Sequence, residues 1–226
     1  MLISKIKGLK YPDESIIRFF FKERLFEKPG TVLELGCGVA NNINLFYQYG
    51  YHVTGIDIDK ASIENAKENL ALVQADTGLK NGFDLACADM VEYVEGYRGK
   101  PVDVFMLPSS IYYLPRPVIV EVLKNIRRKG ILRAGTRFFL RMRNMDDYRY
   151  GKGREVGPNS FRMDIKETGE ENCTITFFSE SELLELLHGI FKFKSHRLLL
   201  SRVENLQNDR IIMDSDIIFW GEIAEA

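Results

Sequence analysis

Glu34-Leu35-Gly36-Cys37-Gly38, Asp57-Ile58 and Asp89-Met90 are the stretches whose residue types and spacing suit ligand chemistry. Each follows a short run of β-branched and apolar residues, which places it at the carboxyl end of a strand, where open α/β sheets bind ligands. In the first stretch the glycines let the chain turn tightly and bring the backbone up to a ligand with no Cβ in the way. Asp57 closes Val53-Thr54-Gly55-Ile56-Asp57, about twenty residues beyond the glycines, where a carboxylate can accept from both hydroxyls of a ribose. Asp89 can accept from an exocyclic amine, with Ile58 and Met90 against the faces of a flat base. Each feature also has a plainer use: a strand-to-helix turn for the glycines, and helix capping for Asp89 or for an aspartate at the end of strand two, where Asp59 is the better cap.

The charge pattern narrows the ligand. Glu34 stands two residues before the first glycine and aims negative charge at the turn, while a G-x-G-x-x-G pattern fails at Asn41. A pyrophosphate is repelled there, whereas a phosphate-free ligand carrying a sulfonium and an ammonium is attracted. From Thr31 to Met142 the chain resembles the class I S-adenosylmethionine-dependent methyltransferases. Their E/D-x-G-x-G-x-G pattern is represented by Glu34, Gly36 and Gly38, with Ala40 in place of the third glycine.

The resemblance implies S-adenosylmethionine as cofactor, held by Glu34, Gly36, Cys37, Gly38, Asp57, Ile58, Asp89, Met90 and Leu107. Gly36 and Gly38 would face the methionyl part, Asp57 the ribose and Asp89 the adenine amine. Leu107, with Pro108 and Ser109, would lie beside the transferable methyl, and Tyr11 would close over the carboxylate end. The implied activity is in-line methyl transfer to an O, N or C nucleophile. The competing readings are a non-catalytic cofactor-binding or sensor protein and an NAD(P)-dependent oxidoreductase.

Methyl transfer from a sulfonium starts from an activated leaving group, so alignment and exclusion of water can suffice and no catalytic residue is assigned. For the acceptor, the run from Arg141 to Arg154 offers Arg149, Lys152 and Arg154 as a clamp for a small anionic molecule, with Tyr112 beside the cleft. The plainer alternative is a solvated loop in which Asp146 and Asp147 answer the arginines.

These residues need a frame to position them. Alternating β and α patterns predict an α/β fold: a doubly wound, Rossmann-like sheet of about seven strands, mostly parallel with an antiparallel C-terminal hairpin, and helices on both faces. Expected strands are Thr31 to Leu35, His52 to Ile56, Phe83 to Ala88, Val102 to Leu107, Arg137 to Met142 and Cys173 to Phe178, then the hairpin of Phe191 to Leu200 with Asp216 to Ile223. Helices are expected at Asp13 to Phe26, Asn42 to Tyr49, Lys60 to Leu72, Val118 to Lys129 and Ser179 to His188.

One domain is expected over 1–226: an N-terminal helical segment 1–30, a cofactor-binding half 31–142, and a substrate loop with sheet completion 143–226. A net charge of -1 offers no global pull toward nucleic acid, and the N/D-P-P-Y/F signature of aminomethylating nucleic-acid enzymes is absent where Leu107-Pro108-Ser109-Ser110 stands, so a small-molecule substrate is expected. Three scattered cysteines suggest neither disulfides nor a metal site. With no apolar leader and no run near the roughly 18 apolar residues of a membrane span, a cytoplasmic location is expected, and no oligomeric state is implied.

Overall fold

The computed structural model describes residues 2–225. Five parallel strands, β1 (Thr31–Leu35), β2 (His52–Asp57), β3 (Phe83–Cys87), β4 (Val104–Leu107) and β5 (Arg137–Asn144), lie in the order β3-β2-β1-β4-β5. The order reverses between β1 and β4, and the crevice at a doubly wound sheet's switch point opens above that pair. Adjacent residues of these strands supply opposite faces: Val32, Val104 and Phe139 belong to one core cluster, and Leu33, Phe105 and Phe138 to the other.

The first of these clusters is closed by α1 (Glu14–Lys22), α2 (Asn41–Gln48) and α3 (Lys60–Thr77), the other by α5 (Arg116–Arg128) and α6 (Glu180–Ile190) with α4 (Met90–Gly96) packed on it. Asp13 caps α1 by accepting from the Ser15 amide at 2.8 Å, and Ile16, Phe19 and Phe20 are its buried stripe. The helix stops at Lys22, short of Phe26, because Arg24 takes a left-handed conformation and Leu25–Glu27 tighten into a 3-10 turn. In the other direction α3 outruns its expected end and is stopped by Gly78 at φ 70°. Ser179 caps α6 in a reciprocal box with Glu182.

Beyond β5 the sheet branches. The long hairpin of β9 (Phe193–Gln207) and β10 (Arg210–Ile223) docks β10 antiparallel along β5 and completes the seven-strand frame. Its loop is only Asn208-Asp209, both at positive φ, the geometry of a two-residue hairpin turn. The polar stretch between Leu200 and Asp216, expected as the turn, is therefore strand. Three short strands were hidden or partly hidden in the glycine- and charge-rich segment: β6 (Arg154–Gly157), β7 (Ser160–Arg162) and β8 (Thr174–Phe178) form an antiparallel annex. It joins β5 through β8, beside the carboxyl-terminal residues Arg143 and Asn144. Among the described residues no helix is long and apolar enough to cross a membrane.

Candidate active site

At the switch point lies a cleft of about 390 Å³, with walls from the β1 turn (Gly36), the β2 end (Ile56 to Ile58), the β3 end (Ala88 to Met90) and the segment after β4 (Ser109, Ser110, Tyr113, Leu114). The glycine turn is pinned to β2, the Gly36 and Cys37 amides donating to the Ile56 carbonyl at 2.7 and 3.0 Å. Gly36, at φ 80°, meets the segment after β4 directly: a Cβ built there would fall 2.2 Å from the Ser110 Cβ. Ser110 completes that closure by donating to the Leu35 carbonyl at 2.6 Å.

Asp57 is fixed by two backbone amides. One carboxylate oxygen accepts from the Gly38 amide at 2.8 Å and the other from the Asp59 amide at 2.9 Å. The group is held still, while each oxygen keeps a second acceptor site. Asp59 itself caps α3, as its position implied. Asp89 both lines the cleft and caps α4, accepting from the Val91 amide at 2.7 Å, so its two readings coexist. Ile58 is 71% exposed at the cleft mouth, with Met90 also in the wall.

Other expected site residues lie elsewhere. Glu34 does not line the cleft. It is fully buried beneath the turn, one oxygen accepting from the Asn42 amide group at 2.9 Å and the other without a partner. Burial pushes its carboxyl up to about 8, helped by the charge of Asp57 and opposed by the Asn42 hydrogen bond. Cys37 points its thiol into the core against Gly55, and burial raises its pKa. Leu107 is likewise core, because inward alternation along β4 buries it, and Ser109 and Ser110 take the cleft position instead. Tyr11 is exposed, and its carbonyl accepts from Asn41.

Glu34 makes stability depend on pH with a definite sign. Its folded pKa lies above the ordinary 4.5, so the folded state binds the proton more tightly than the unfolded chain does. Its contribution is complete below about 4.5 and is lost as pH rises through about 8. Against Glu34→Gln, the wild type should lose roughly 1.4 kcal/mol per pH unit across that window. Urea unfolding of both proteins at pH 5 and pH 8 measures the gap, and an equal gap at the two values would refute it.

Within the basic loop, Arg149 is not free to clamp an anion. Arg149 is 2% exposed, its Nε paired with Glu170 and its terminal nitrogen 3.0 Å from Asp147 and 2.8 Å from Asp214. Arg143 is held by Asp147, Asp214 and Asp216, and Arg141 by Asp13 and Asp216. Lys152 sits over the Tyr148 ring and Arg154 is exposed on β6. The arginines fold inward because carboxylates on the hairpin, on α1's cap and in the loop 163–173 reach them, contacts far apart in sequence. Tyr112 is core, stacked under the Arg143 guanidinium. Its neighbour Tyr113, on the 3-10 turn Ile111–Tyr113, is the tyrosine that faces the cleft.

Residues 32–132 match the family model described as a methyltransferase domain. The match spans a little under half of the chain and takes in the glycine turn, Asp57 and Asp89. No curated protein matches the chain. Among solved structures, this chain is similar to a SAM-dependent methyltransferase from Methanosarcina mazei at 21% identity and TM-score 0.67, over 91% of this chain and 98% of that one. It is similar to an S-adenosylmethionine-dependent methyltransferase from Clostridium acetobutylicum at 16% identity and TM-score 0.60, over 94% of this chain and 92% of that one. The third is the 1,6-didemethyltoxoflavin-N1-methyltransferase of Burkholderia thailandensis, with bound 1,6-didemethyltoxoflavin and S-adenosylhomocysteine, at 17% identity and TM-score 0.59, over 93% and 80%.

The lining of the cleft fits a cationic, phosphate-free ligand such as S-adenosylmethionine. Two carboxylates line the walls and none of the lining residues is basic. A phosphate-bearing dinucleotide would find no countercharge there, so the oxidoreductase reading gives way. Glu34 beneath the turn, its carboxyl pushed up to about 8 by burial, is largely neutral at neutral pH, so the wall's own carboxylates are Asp57 and Asp89.

Proposed function

We propose that this enzyme transfers a methyl group from S-adenosylmethionine, in line, to a nucleophile of a small molecule, with Asp57 holding the ribose hydroxyls, Asp89 the adenine amine and Ile58 and Met90 the base. Gly36 and Gly38 leave room for the methionyl part. When bound, the cofactor supplies an electrophilic methyl on a sulfonium, so the protein's task is alignment and exclusion of water. The observation that carries this reading is Asp57, a carboxylate fixed by two backbone amides at the tip of β2 with acceptor sites free toward the cleft.

The continuous sheet supports treating 1–226 as one unit, and the free thiols, with Cys87 and Cys173 exposed, support a reducing, cytoplasmic setting. An anionic acceptor is no longer favoured, since Arg149 is committed to carboxylates.

Calorimetry with S-adenosylmethionine tests the donor site. Asp57→Ala should weaken binding by more than about 1 kcal/mol. Unchanged affinity would remove the ribose role. Methyl transfer to a metabolite extract, followed by mass spectrometry, tests the reaction. A protein that binds the donor and methylates nothing would be a sensor.

A further inference from the structure

Resting on the methyl-transfer reading, the geometry points to Tyr113 as the residue that receives the acceptor's proton and passes it to Glu170, so that the acceptor is an N–H or O–H group. Tyr113 is the one aromatic side chain in the cleft wall, three residues beyond Ser110, which packs on Gly36. Of the other polar side chains of the wall, Asp57 holds two amides, Asp89 caps α4 and Ser110 donates to Leu35, while Ser109 makes no hydrogen bond, among the described residues, to a carboxylate that could take a proton onward.

The Tyr113 hydroxyl donates to Glu170 at 2.7 Å. A phenol has a single proton, so with that proton committed away from the cleft its oxygen offers lone pairs to a group inside. Burial, Tyr112 and Glu170 all push the phenol's pKa upward, which keeps Tyr113 neutral and makes it a conduit.

What lies behind Glu170 can absorb a proton. It is buried, and Tyr112, Tyr113, Arg143 and Arg149 are the charged and titratable groups about it. Through Arg149 it joins a network of five carboxylates (Asp13, Asp147, Glu170, Asp214, Asp216) and three guanidiniums (Arg141, Arg143, Arg149). The carboxylates are in excess, so protonating one moves the buried cluster toward neutrality. In the step, the bond from the acceptor atom to the methyl carbon forms as the S–C bond breaks, and sulfur keeps the electron pair. The acceptor's proton moves to the Tyr113 oxygen while the Tyr113 proton moves to Glu170.

The test uses the full chain, methyl-deuterated S-adenosylmethionine and a metabolite extract, with Tyr113→Phe and Glu170→Gln beside the wild type. Calorimetry follows donor binding. Both variants should bind the donor within about threefold of wild type, while transfer falls on the order of 100-fold, the usual weight of general acid–base help. The wild type should slow in D2O, and the residual transfer of either variant should not. Transfer near the wild-type rate in either variant, or slowed transfer that keeps the wild-type D2O sensitivity, overturns the relay and leaves the methyltransferase reading standing. Should the Tyr113 variant fail to fold, Glu170→Gln, which lies outside the cleft wall, decides the matter alone. Donor binding with no transfer by the wild type overturns both.

Discussion

Gly36→Ala should cripple the donor site and weaken the fold, whereas Gly38→Ala, two residues on, should do much less. At Gly36 two costs add: a left-handed backbone forced on a residue with a Cβ, about 1–2 kcal/mol, and overpacking of about 1–3 kcal/mol. The second arises because that Cβ falls 2.2 Å from the Ser110 Cβ, on a serine tied to Leu35 and continuous with the cleft wall. The chain must move Ser110 or the turn, and either shift displaces Tyr113 and the Gly38–Asp57 bond. Gly38 also has positive φ, yet a Cβ there meets nothing within 4 Å, so only the backbone term applies. Urea midpoints and calorimetry with S-adenosylmethionine read both effects, with donor affinity expected to drop more than tenfold in the Gly36 variant. Equal behaviour of the two alanine variants would show that the Ser110 contact has no weight.

The cleft was legible in the sequence because its signals are local. A glycine turn, an aspartate at a strand end and an alternating apolar run each declare their position within a few residues, and Gly36, Asp57, Ile58, Asp89 and Met90 all line the cleft. Glu34, Cys37 and Leu107 were misplaced for one shared reason. In a strand and its turn neighbouring side chains go to opposite sides, and the sequence does not say which side faces the ligand. The same ambiguity leaves Tyr112 and Tyr113 equal candidates in the sequence, and only Tyr113 lines the cleft. The acceptor side was not legible at all. Arg149 meets Glu170 and Asp214 only after the annex and the hairpin have folded, and nothing near Arg149 in sequence announces those partners. The alternation through β9 and β10 was masked by charged residues, although Asn208-Asp209 is a turn signal in its own right.

That network yields the second large effect. Arg149→Ala should destabilise the protein by roughly 3–5 kcal/mol, since removing the guanidinium strands buried carboxylates without their partner. Asp147 is fully buried, and its remaining contacts are to Arg143 and to the Ser215 and Arg149 amides, so one cation would be left where two shared the load. The loss should be greatest at neutral pH and shrink in acid, because the Arg149 hydrogen bond helps hold the Asp214 carboxyl below its ordinary value against burial, and that support is lost with the arginine. An exposed cation of the same segment gives the contrast: Arg154→Ala on β6 should fall within about 0.5 kcal/mol of wild type. Adding Glu170→Gln to Arg149→Ala should recover part of the loss, because neutral glutamine tolerates the missing charge while the two residues are coupled. Urea unfolding of the three variants at pH 7 and pH 5 measures all of this. Were Arg149 an acceptor-binding group, its removal would instead leave stability near wild type and raise the acceptor KM, and the two patterns cannot be confused.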